Sequence, residues 1–73
     1  MPTTGTKPPS DLDVLRSAQI LIRQHGARAA WEAAAKQDEM IARGDPAGEA
    51  VWNRVRRAIL QLEADRKPGE ALH

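Results

Sequence analysis

Two residues carry chemistry at unusual places in this chain. Asp38 falls near the centre of an alanine-rich apolar stripe, and His25 closes the apolar stripe before it. A bare carboxylate on a buried face is costly unless something bonds to it. Counting helical turns either side of the Gly44–Pro46 link puts Asp38 level with Trp52, whose indole N–H wants an acceptor. The expectation is a structural pair in which Asp38 accepts from Trp52 or from an arginine of a neighbouring helix. His25, in the last turn of its helix, is expected to pack its ring and to favour the dipole or cap carbonyls.

Neither residue builds an active site on this spacing. A catalytic carboxylate wants a second titrating group nearby, and Asp38 has none. His25 is about eleven residues of helix away, roughly 16 Å at 1.5 Å per residue. The other histidine, His73, is the last residue, so a zinc site is not expected. Ser10, Ser17 and the early threonines have no histidine placed to activate them. Gly44 and Gly48 flank a helix start, but Asp45 and Glu49 put negative charge where an anion would bind. The reading is a protein that is not an enzyme, with no metal, no cofactor and no small-molecule ligand.

The outward faces offer more. Opposite its apolar stripe the first helix shows Arg16, Ile20 and Arg23. The third shows Asn53, Arg56, Arg57 and Leu60, with Arg54 to one side. An aliphatic side chain flanked by arginines suits an acidic partner protein or a second copy of the chain. The alternative is a small nucleic-acid-binding regulator, since arginine binds phosphate and reads guanine. Against that, Glu49, Glu63 and Asp65 dilute the field of the third helix, and the net charge is only +1.

The elements that must position these residues are helices. Ser10 is a good N-cap with Asp13 at the capping-box position, and Gly26 suits a left-handed stop. This predicts helix 1 over about 10–25, burying Val14, Leu15, Ala18, Leu21, Ile22 and His25. Helix 2 is expected over 27–43, with Ala27, Ala30, Trp31, Ala34, Asp38, Ile41 and Ala42 inward. Gly44 stops it, Asp45 caps the next helix and Pro46 takes the first helical position. Helix 3 is expected over 46–66, burying Val51, Trp52, Val55, Ala58, Ile59 and Leu62, with Lys67, Pro68 and Gly69 as the stop. The fold expected is all-α, a small three-helix bundle over 10–67, with a disordered tail at 1–9 and a frayed end at 68–73.

Composition sets the outer limits. At 73 residues the chain is one small domain, and such a domain buries a modest share of its surface. It has no cysteine, so disulfides and thiolate metal sites are excluded. Nothing at the N-terminus reads as a signal peptide, and no apolar run approaches the ~20 residues of a membrane span. A soluble, cytoplasmic protein is expected, away from membranes, and a homodimer would enlarge its small core.

From His25 onward the residues HGARAAWEAAAKQDEMIARGDPAGEAVWNRVRRAI form a pattern: His25 and Gly26 close a helix, Asp38 ends an alanine-rich run, then come Gly44, Asp45, Gly48, Trp52 and Arg54. In this half the chain resembles a group of short, uncharacterised alphaproteobacterial proteins. The resemblance implies a small helical bacterial protein and brings no activity with it. Ala27 departs from the pattern, standing where a polar cap is expected.

Overall fold

Helix formation follows the caps. A computed structural model describes residues 9–70, with side chains described through residue 65. Residues 1–8 of the expected tail, and 71–73 of the expected frayed end, lie outside this range. Within it the chain is helical and contains no strand. Helix α1 is Asp11–His25, a 3₁₀ turn covers Gly26–Arg28, α2 is Ala29–Arg43 and α3 is Pro46–Glu70.

The start of α1 is closed reciprocally. Ser10 Oγ accepts from the Asp13 N–H at 3.1 Å, and Asp13 Oδ2 accepts from the Ser10 N–H at 3.4 Å. Gly26 ends the helix at φ 58° and ψ −127°, a region open to glycine and strained for other residues. Helix α2 begins at Ala29 rather than at residue 27. Neither Ala27 nor Arg28 supplies a capping side chain, so the chain enters through a 3₁₀ turn whose carbonyl at Gly26 takes the Ala29 N–H.

The α2–α3 link is the most fully bonded junction. Gly44 is left-handed at φ 72°, ψ 37°. Its N–H reaches the Ile41 carbonyl at 3.0 Å while the Asp45 N–H reaches Met40 at 2.9 Å. Together these two bonds make a Schellman closure. Asp45 Oδ1 then accepts from the Gly48 N–H at 2.9 Å, with Pro46 opening α3. A side chain at Gly48 would come within 2.6 Å of Met40 Sδ and 2.7 Å of the capping carboxylate, so the bare Cα admits both. At its far end α3 runs through Pro68 and Gly69 to Glu70, past the expected stop at 66.

Contacts set the directions. Gln37 meets both Glu49 and Arg56, so α2 lies antiparallel to α3. Arg54 bonds at the start of α1, and Ala58 lies beside Val14 and Leu15, so α1 and α3 run the same way. The core where they meet is Val14, Ala18, Ala29, Ala33, Val55 and Ile59, backed by Leu21, Ile22, Ala30, Trp52, Ala58 and Leu62. Three of its six buried members are alanine. Small side chains bring helix axes close, and they also bury little apolar area.

The rotation of α2 differs from the expectation. Ala29 and Ala33 are fully buried, with Gln37 and Met40 half-buried beyond them. Trp31 and Ile41, expected inside, are 62% and 54% exposed, and Ala27, Asp38 and Ala42 are exposed as well. The physical reason is volume. Alanine occupies both faces of α2, so either could turn inward by hydrophobicity. Only the face without an indole fits against neighbours this near.

Candidate functional site

No reactive constellation forms around Asp38 or His25. Asp38 is exposed and does not pair with Trp52. One residue along a helix is a 100° turn, which carries Asp38 away from α3. Gln37 is the polar side chain that faces α3 at that height. Its Nε2 donates to Glu49 Oε2 at 3.4 Å, and its Oε1 accepts from Arg56 Nε at 3.3 Å. Trp52 is half-buried against the core. His25 is exposed, so its ring is not packed on the apolar face as expected. A helix-terminal position beside Gly26 leaves it nothing to pack under. Among the described residues no group of three His, Cys, Asp or Glu side chains could hold a metal ion.

The arginines of α3 separate. Arg54 turns to the N-terminus of α1, with Nη2 donating to Asp11 Oδ1 at 2.7 Å and Nη1 to the Pro9 carbonyl at 3.0 Å. Pro9, placed in the disordered tail by the sequence, is thereby tied to α3. Arg56 turns the other way, to Gln37 and, through Nη2, to Asn53 Oδ1 at 3.3 Å. Both are half-buried, as is Asn53. Arg57 is exposed, and no hydrogen bond or ion pair among the described residues involves it. Asn53, Arg56 and Arg57 thus do not form one outward basic face. Residues on successive 100° steps point at three neighbours, and two of those neighbours supply acceptors.

Arg57 instead lines an open groove between α1 and α3, with Asp11, Val14, Leu15, Arg54 and Ala58. On the outside of α1, Arg16 and Arg23 are exposed around Ile20, which is 50% exposed; Leu12 lies one helical turn before Arg16 and is also exposed. Sequence spacing identified Ile20 and missed Leu12, although the spacing of four from Leu12 to Arg16 to Ile20 carried the signal. Leu60 is 46% exposed on α3. No helix among the described residues is long and apolar enough to cross a membrane.

A further surface was missed altogether. The outward side of α2 presents Trp31 with Ala35, Asp38 and Ala42, and the Arg28 guanidinium lies 5.0 Å from the Trp31 ring centre. The chain matches no protein-family model, no curated protein and no solved structure.

Proposed function

We propose that this chain is a three-helix-bundle interaction module, non-enzymatic, that binds an acidic partner protein through its arginine-flanked apolar faces. The observation that carries the reading is the combination on α1: Leu12 and Ile20 stand about half in water, and Arg16 and Arg23 beside them are exposed. Aliphatic anchors with arginine at the rim are the composition of a protein-contact patch. Arg57, exposed at the groove between α1 and α3, and the exposed Leu60 on α3 offer groups of the same kind. Arg54 and Arg56 act internally, which favours a protein partner over nucleic acid, since two of the three clustered arginines are committed to bonds within the chain.

The test is affinity capture from bacterial extract with the wild type, an Ile20→Asp and Leu60→Asp double variant, and a Lys36→Asp control. The expected result is a partner retained by wild type and control and lost by the double variant. Equal capture by all three refutes the reading. A gel shift that falls steeply with salt would establish the nucleic-acid alternative instead.

A further inference from the structure

We propose that the outer face of α2 is a self-association seam on which two copies of the chain pair antiparallel about a two-fold axis near residue 33. This deepens the interaction reading by naming a second copy as the partner, and it assigns that contact to a face other than those of Ile20 and Leu60.

The seam is defined by spacing. Trp31, Ala35, Asp38 and Ala42 share the outward side of α2, and Arg28 stands in the 3₁₀ turn just before it with its guanidinium over Trp31; all are exposed, and in chain order they alternate by three and four residues. That is the 3.5-residue repeat along which two helices interlock. In an isologous contact residue i of one copy meets residue j of the other and j meets i. Arg28 and Asp38 stand five residues either side of residue 33, and Trp31 and Ala35 stand two residues either side. One axis therefore satisfies both pairs. Each Trp31 indole enters the space above the partner's Ala35, and each Arg28 faces the partner's Asp38.

Charge complementarity is what points to a second copy rather than an unrelated chain. No ion pair among the described residues involves Arg28 or Asp38, whereas Glu39 on the flank is already held by Lys36 at 3.6 Å and Arg43 at 3.8 Å. The Arg28 guanidinium is positioned over Trp31 at 5.0 Å, at the edge of the seam. A carboxylate in the middle of an alanine stripe is unfavourable against an apolar partner and favourable against an arginine at this register. Along one edge Ala34 and Ile41 follow at an interval of seven within α2, and Ala34 meets its own copy. On the other edge Glu32 lies near its own copy, which holds the affinity down. A 15-residue helix also offers less than a full-sized interface. The pairing is accordingly weak and visible only at high concentration.

The experiment is sedimentation equilibrium of the full chain from about 10 µM to about 1 mM, with helicity checked by circular dichroism. Wild type is expected to move from monomer toward dimer across this range. Arg28→Asp and Asp38→Arg each place like charges opposite each other twice, and each should weaken the dimer at least tenfold. An equimolar mixture of the two variants restores both opposite-charge pairs and should restore dimer at the wild-type level. The Ile20→Asp and Leu60→Asp variant should dimerise like wild type. A wild type that stays monomeric at about 1 mM overturns the proposal, as does a dimer indifferent to the charge reversals, or a mixture that fails to recover. If Ile20→Asp and Leu60→Asp abolish the dimer while the reversals do not, the seam is wrong and the arginine-flanked faces survive as the contact.

Discussion

Replacing Trp31 by alanine separates the observed rotation of α2 from the alternative in which the indole fills the core. A core tryptophan truncated to alanine costs about 3–5 kcal/mol. Trp31 is 62% exposed, so about two fifths of a side-chain surface of roughly 200 Å² is hidden. At about 25 cal/mol per Å² that is worth roughly 2 kcal/mol as an upper bound. Contact with Arg28 adds about 0.5–1 kcal/mol at an exposed site. Against these, alanine is the better helix former by about half a kcal/mol, and part of the hidden area stays covered by neighbours in the unfolded chain. A net loss of about 1–1.5 kcal/mol is expected, or a melting temperature lower by about 5–10 °C for a domain of this size.

The assay is urea unfolding followed by circular dichroism at about 5 µM, where pairing of copies contributes nothing. Trp52→Ala is the internal comparison, because Trp52 packs against the core; its loss should be the larger by at least about 1 kcal/mol. A domain of this length holds only a few kcal/mol in total. A Trp31→Ala chain that no longer folds would therefore place the indole inside and refute the rotation described for α2.

Among the described residues Ile59 is the one large side chain that is fully buried, and Ile59→Ala should cost about 2–5 kcal/mol and leave the chain largely unfolded by circular dichroism at room temperature. Asp45→Ala removes the oxygen that accepts from the Gly48 N–H and should lower stability by about 1 kcal/mol in urea titration; no change would mean the cap contributes nothing. Gly48→Ala gains about 1 kcal/mol in helix propensity, yet its methyl would meet Met40 Sδ and the Asp45 carboxylate. A net loss is expected in the same titration, and a more stable variant would contradict the close approach of Met40 and Asp45 to Gly48.

Reading the residues in order is sufficient for every helix start that a side chain encodes. Ser10 with Asp13, and Asp45 with Pro46, act within four residues of themselves, and the backbone groups they satisfy are the same whatever packs nearby. Gly44 takes the left-handed conformation expected of it, a local requirement legible in the same way, whereas Gly26 has positive φ but, at ψ −127°, stands outside the left-handed helical region expected there. The inward stripes of α1 and α3 were legible for a related reason. Valine, isoleucine and leucine on one side outweigh the arginines and glutamines on the other, so only one rotation buries them.

Tertiary contacts decided what such local signals leave open. Helix α2 has alanine on nearly every side, so its two rotations are close in hydrophobic terms. Fit against Val55 and Ile59 selected Ala29 and Ala33 for the inside and left Trp31 and Asp38 in water. The same holds for the arginines of α3, since a guanidinium goes to whichever acceptor a neighbouring helix brings within reach. Asp11 and Pro9 took Arg54, and Gln37 took Arg56. Composition and period specify how an element begins, ends and divides by polarity. Which alanines touch, and which charges find partners, depends on shapes from distant parts of the chain that meet only once it has folded.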